Sequence, residues 1–257
     1  MQLTGFARGG RVEPSREAAA CGGGRLGMNP YKTLLKPGTG FLEEKRSRFI
    51  ARVAPVSTEE EALAHIRAVR ARDWDAGHHC HAYALDGPSA IRRCSDDGEP
   101  SGTAGVPILE VLNKQGITNA VIVVSRWFGG ILLGASGLLR AYGRVAGLGV
   151  SDAGIMLVKP CLETVLAMEY TLAGKVAHYL AAGAYLTAGT EYGADVRIRL
   201  FLEPERRHIL ERGLADLTSA RVEFLFSDPQ PVAFSESGAF LRIMQPMPDP
   251  DASTGQG

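Results

Sequence analysis

The sequence predicts a two-domain α+β protein. Three observations predict it. Alternating and β-branched apolar runs interleave with helix-period segments over most of the chain. The pattern changes near Lys159-Pro160. Beyond that point the order strand, helix, strand, strand, helix, strand fits within about 70 residues, the split arrangement of ferredoxin-like domains. The length of 257 residues accommodates one or two domains at ~150 residues each. Hydrophobic residues at 45% and charged residues at 22% exclude a mostly disordered chain and a coiled coil. The 28 basic and 28 acidic residues cancel, which excludes a nucleic-acid binder recognised by net charge alone.

Residues 1–29 contain seven glycines and an Ala run without apolar periodicity, and are expected to be a disordered extension; a true start at Met28 is one explanation of them, and a chain beginning there is expected to fold as well as the full one. Tyr31 to Val56 gives two or three strands broken at Pro37-Gly38. Ser57/Glu60 and Thr58/Glu61 are overlapping capping boxes for a helix whose side carries Leu63, Ile66, Val69 and Arg70. His79–Leu85 alternates like a strand, and Ile91–Ser95 like its hairpin partner. A loop from Asp96 to Gly105 precedes a helix over Val106–Lys114, with Pro107 tolerated in its first turn. Asn119–Ser125 is a β-branched run and hence a buried strand. A glycine-rich turn then leads into a helix from Ser136 to Leu148.

In the second half, Leu162–Met168, Tyr185–Tyr192, Asp195–Leu202 and Val222–Phe226 are strands; Leu172–Ala182 and Pro204–Leu217 are helices. The expected domains are therefore 30–159 and 160–244, with a disordered tail at 245–257. Residues 30–159 carry 16 basic and 13 acidic groups, net +3; residues 160–244 carry 8 and 11, net −3. Neither value marks a general polyanion binder, and DNA is not an expected partner. The most apolar stretch, Ala120–Leu139, is interrupted by Arg126 and glycines, so no membrane span is expected. No secretory leader is evident. The cysteines form no CxxC pair, consistent with reduced thiols in the cytoplasm.

Asp96-Asp97-Gly98-Glu99-Pro100-Ser101-Gly102-Thr103-Ala104-Gly105 is the sharpest motif. Its helix start offers free N–H groups to a phosphate or carboxylate, and its acids are of the type that holds Mg²⁺. The plainer alternative has Glu99 or Thr103 capping a helix. Arg126-Trp127-Phe128-Gly129-Gly130 continues to Gly134 and Arg140. Here a buried strand delivers an arginine to a turn where Gly129 and Gly130 leave room for a ligand or partner. The glycine spacing is neither a Walker A motif nor a dinucleotide fingerprint. Tight packing with an ion pair from Arg126 to Asp96, Asp97 or Glu99 is the alternative. In His78-His79-Cys80-His81, alternation puts His79 and His81 on one face and His78 with Cys80 on the other. That leaves too few convergent ligands for zinc, and neither a metal nor a cofactor is expected. On the strand Asp195–Leu202, Arg197, Arg199 and Phe201 share a face that could form a secondary RNA surface or a solvated one.

The run Asp96-Asp97-Gly98-Glu99-Pro100-x-Gly102-Thr103-Ala104-Gly105-x-Pro107 resembles the IMPACT family. So do Arg126-x-Phe128-Gly129-Gly130-x-x-Leu133-Gly134, Gly137-Leu138-x-Arg140-Ala141-Tyr142 and His78-His79-Cys80. The similarity covers about 30–150, and residues 160–230 resemble the small C-terminal domain of bacterial members. Trp127 departs from a usual tyrosine, and Ala135-Ser136 from a segment usually richer in glycine. The resemblance implies a ribosomal-protein domain-2-like α/β sandwich, shared with elongation factor G domain IV. A ferredoxin-like domain like that at the factor's C-terminus is then expected to follow. It also implies a role in translation, because eukaryotic relatives regulate translation by binding the activator of a stress-responsive initiation-factor kinase. The expected activity is non-enzymatic binding of the ribosome, RNA or a translation-associated protein. The expected site is Arg126, Arg140, Gly129, Gly130, Asp96, Asp97, Glu99, Thr103, His79 and Tyr142. A Mg²⁺-dependent phosphate-handling enzyme at the same edge is the alternative.

Overall fold

A computed structural model describes residues 29–87 and 90–244. The expectations for the two tails, including the start at Met28, lie outside the described residues. The strands and helices follow in the order β1 (Tyr31–Leu34), β2 (Gly38–Glu44), β3 (Ser47–Pro55), α1 (Glu59–Arg72), β4 (His78–Leu85), β5 (Ile91–Ser95), α2 (Gly105–Gln115), β6 (Ala120–Trp127), α3 (Ala135–Ala153), β7 (Ile155–Met168), α4 (Tyr170–Ala182), β8 (Leu186–Tyr192), β9 (Val196–Leu202), α5 (Arg207–Thr218), β10 (Glu223–Ser235) and β11 (Phe240–Ile243). The fold is α+β, as the patterning predicts.

The first sheet has the order β2-β3-β6-β4-β5, antiparallel throughout. Central β6 is buried on both faces, which is why Ala120–Val124 shows no alternation. Helices α2 and α3 cover one face over a core containing Phe49, Ile108, Leu112, Ile122 and Tyr142. Helix α1 covers the other, over Val121, Val123 and Tyr83. Thr58 caps α1 by accepting from Glu61 N–H, and the Glu61 carboxylate reaches back to Ser57 N–H. The buried side of α1 is Ala62, Ile66 and Val69; Leu63, expected there, is 40% exposed. Helix α3 runs five residues beyond the expected Leu148, because its far end packs directly on β2. A Cβ at Gly40 would collide with the α3 backbone at Val145 and Gly149, and one at Gly149 would lie 2.9 Å from Val53 Cγ1. Part of the glycine excess therefore serves close helix–strand contact.

The second sheet has the order β11-β10-β7-β9-β8, with β1 also paired to β7. Its β10-β7-β9-β8 portion, covered by α4 and α5, is the ferredoxin-like unit. Position 159/160, where the sequence pattern changes, lies inside the continuous strand β7. The strand character of 227–243 is not evident from sequence, since Pro229 and Pro231 break its ladder potential. The structure accommodates both prolines beside a bulge between Phe226 and Pro229.

Candidate functional site

Strand pairing brings His78 of β4, Arg126 of β6 and Phe49 of β3 into one row across the first sheet. The loop after β5 folds over the end of this row, and each of its three acids finds a partner inside the protein. Asp96 accepts from Gly102, Ala104 and Gly105 N–H groups at 2.8–2.9 Å. It thus caps α2 from outside the helix, where neither Glu99 nor Thr103 does; Thr103 instead donates to Pro100 C=O at 2.6 Å. Burial raises the Asp96 carboxyl pKa, but the three N–H donors outweigh it and hold it below the usual value. Asp97 accepts from the Arg70 guanidinium and from His79 N–H.

Glu99 is buried. Its Oε1 accepts from Arg126 Nη1 at 2.5 Å and from the Tyr142 hydroxyl at 2.8 Å. The Cys80 thiol donates to Asp96 C=O at 2.9 Å and lies 3.3 Å from the Tyr142 oxygen. Burial pushes the Cys80 thiol up to about 12, which favours the neutral thiol over the nucleophilic thiolate. Burial, with Cys80 and Glu99 adding to it, also keeps Tyr142 un-ionised.

Arg126 was expected to emerge from the strand end toward a ligand. Instead it is 6% exposed inside β6, its guanidinium lying over the rings of Phe49 and Phe128, at 5.5 and 5.6 Å. The ion-pair alternative is the geometry found. Gly129 also differs from expectation. Its open side is filled by the Arg46 carbonyl, with which a Cβ would collide, whereas Gly130, at φ +82°, faces open space. His79 is buried on the opposite face with its Nε2 donating to Asp73 C=O at 3.0 Å. Alternation on β4 predicts this, and it predicts His78 beside Cys80 as well. His78, not among the expected site residues, donates from Nδ1 to Asp97 C=O at 2.9 Å and holds Nε2 4.0 Å from Glu99.

A second buried charge group lies on the α1 face and is not evident from sequence. Asp73 accepts from Arg52 at 2.8 and 3.0 Å and from Ser125 at 2.8 Å. Burial acts to raise its pKa, and these donors lower it below the usual carboxylate value.

Beyond these clusters the surface is mixed. Phe128 is 57% exposed and Leu132 80%, with Ile131, Leu139 and Arg140 also exposed on the same turn and first helical turns of α3. Lys45 donates to Leu132 C=O at 3.5 Å. Arg197, Arg199 and Phe201 lie on the other sheet, away from this edge. They do share a face, but Phe201 is buried and its ring stacks on Phe240 at 4.7 Å, so it does not form an open platform with the two arginines. Arg199 pairs with Glu163 at 3.5 Å. Among the described residues no group of acids, histidines and cysteines is placed to hold a metal, and no helix is long and apolar enough to cross a membrane.

The model of the Impact N-terminal domain matches residues 45–150, and that of a domain of unknown function, DUF1949, matches residues 166–221. The chain is 35% identical over 194 residues to the IMPACT family member YvyE of Bacillus subtilis, covering 76% of this chain and 89% of that protein. It is 34% identical over 191 residues to the IMPACT family member YigZ of Escherichia coli, covering 74% and 94%. A crystal structure described as that of a hypothetical protein aligns with 34% identity and a TM-score of 0.50, over 77% of this chain and 97% of that one.

Proposed function

The chain belongs to the IMPACT family, and from that premise we propose that it is a non-enzymatic, translation-linked regulatory protein. It binds the ribosome, its RNA or a translation-associated protein through the edge formed by the Asp96–Gly105 loop and the Arg126–Arg140 turn. One observation carries the reading. Phe128, Ile131, Leu132 and Leu139 stand exposed together beside Arg140, on a turn anchored from below by the buried Arg126–Glu99–Tyr142 cluster. An exposed apolar group rimmed by charge marks an interaction surface, and a rigid support lowers the ordering cost of binding. The three acids of the loop have their partners within the protein, which favours binding over Mg²⁺-dependent phosphate chemistry at this edge. In this reading Arg126 and Glu99 position the turn, while Arg140 and the apolar side chains make contact.

The test is co-sedimentation of the full chain with ribosomes on sucrose gradients at low and moderate salt. Wild type is expected in the ribosomal fractions, and Leu132→Asp with Arg140→Glu is expected at the top of the gradient while remaining folded. Absence of wild type from ribosomal fractions at both salts, with no capture of a translation factor, would overturn the proposal. So would unchanged sedimentation of the double variant.

A further inference from the structure

On one edge of β7, two strands meet end to end. β1 pairs with Ile155–Val158, and β9 pairs from Leu162 onward. Between them Lys159-Pro160-Cys161 has no strand partner on that edge, and Pro160 has no N–H to offer one. A cavity of about 260 Å³ sits over this break, on the side of the second sheet away from α4 and α5. Its floor is Leu157 and Cys161 on alternate positions of β7, and its walls are Leu186, Phe201 and Phe234. The Cys161 thiol is held neutral, its pKa pushed by burial to about 12, so the floor carries no charge.

The rim is polar and carries both signs. Lys159 and Glu203 neutralise each other at 2.8 Å. Arg206 is fixed over the Tyr185 ring at 4.2 Å while donating to Gly183 C=O at 2.8 Å. Lys32, exposed on β1, and Glu236, in the β10–β11 turn, also line the cavity. Cavities with an apolar floor and a few polar groups at a junction between units are where small ligands bind. A purely anionic ligand would meet Glu236, and a purely cationic one would meet Lys32 and Arg206.

We propose that this cavity binds a small zwitterion with an apolar body, that is, a free amino acid with an apolar side chain. Its carboxylate faces Lys32 and Arg206, its ammonium faces Glu236, and its side chain rests among Leu157, Leu186 and Phe201. The site is built on the other sheet from the one that carries the Arg126–Arg140 edge and does not depend on the reading of that edge.

Isothermal titration of the full chain with L-phenylalanine and L-leucine tests the proposal. Three arms separate the chemistry: 3-phenylpropionate lacks the ammonium, phenethylamine lacks the carboxylate, and phenyl phosphate is an anion of another class. A dissociation constant on the order of 0.1–1 mM is expected for one of the two amino acids, ordinary for about a dozen non-hydrogen atoms. The three partial ligands are expected to bind at least tenfold more weakly. Lys32→Glu should weaken binding about tenfold and Leu186→Trp, which fills the cavity, should abolish it; circular dichroism confirms that both are folded. Failure of both amino acids to bind at 10 mM would overturn the proposal. Equal binding of 3-phenylpropionate or phenyl phosphate would overturn the zwitterion, and binding untouched by both substitutions would overturn the site.

Discussion

Arg126→Ala is expected to destabilise the first domain by about 3–5 kcal/mol, the range for breaking a buried ion pair by removing one partner. The geometry sets this expectation. The Arg126 and Glu99 side chains are 7% and 3% exposed and 2.5 Å apart. Without the guanidinium, Glu99 keeps the Tyr142 hydroxyl as a donor but loses the arginine's balancing charge. An exposed pair would contribute only ~0.2–1 kcal/mol. The guanidinium also packs over Phe49 and Phe128, so its loss leaves both rings short of contact. At ~2–4 °C per kcal/mol for a chain of this size, the midpoint should fall by roughly 6–20 °C. The assay is urea unfolding followed by tryptophan fluorescence. Both tryptophans, Trp74 and Trp127, lie in the first half, so the signal reports that half alone. Arg126→Met with Glu99→Leu removes both charges and should recover at least half of the loss. A fall below 1 kcal/mol for Arg126→Ala, with an unchanged denaturant slope, would refute the buried-pair reasoning.

Asp96→Ala should cost about 1–2 kcal/mol by uncapping α2, with Asp96→Asn recovering part because its amide oxygen still accepts; equal stability of wild type and Asp96→Ala in urea would refute this. Asp73 and Asp96 are both held below the usual carboxylate range in the folded chain, so the unfolded chain takes up protons first as pH falls. Their stabilisation is complete above the unfolded value of ~4 and is lost as pH drops through the lower folded values; urea midpoints that stay constant from pH 5 to pH 2 would contradict it. Alkylation with iodoacetamide at pH 8, mapped by peptide mass, should modify exposed Cys94 while sparing Cys80 and Cys161, both buried and raised to about 12; early modification of Cys80 would count against the cluster described. Gly129→Ala should lower the midpoint measurably through its collision with the Arg46 carbonyl, whereas Gly147→Ala, with open space around it, should not.

The sequence carries the elements of the fold further than it carries the site. Alternation, the Thr58/Glu61 capping box and the βαββαβ order are local signals, and each has its counterpart among the strands and helices; the Ser57/Glu60 box does not, since Glu61 takes the Ser57 N–H. Where they fall short, a distant partner decides. The last turns of α3 persist because Gly38 and Gly40 let them rest on β2, over 100 residues earlier. Strand β10 runs through two prolines because β7 supplies its ladder. The site fails for a related reason. A charged residue following an apolar run has the same local pattern whether it ends at a surface or lies within a central strand. Arg126 lies within one because β3 and β4 both extend past Ser125 to flank it. Asp73 looks like a residue ending an exposed helix, and only pairing with Arg52 and Ser125 makes it a buried charge. The placement of His78 beside Cys80, by contrast, is legible from the period of two on β4.

The two buried charge groups occupy opposite faces of the same sheet and are joined through one loop. Glu99 holds Arg126 and Tyr142 on the α3 face; Asp97 holds His79 N–H, and the His79 ring reaches the Asp73 carbonyl on the α1 face. A buried pair is weak evidence of net stability, since apolar replacements of similar volume often do as well. What such replacements do not supply is direction. Arg126 meets Glu99 only when His78, Arg126 and Phe49 are in register, and a slip of one residue would turn Arg126 toward the α1 face. Asp96 meets its three N–H groups only when α2 starts at Gly105. The charges therefore bear on where β6 ends and where α2 begins, and the Phe128–Arg140 turn follows directly on the end of β6. On the binding role proposed above, the motif's acids would act on a partner indirectly, by holding that turn in one place.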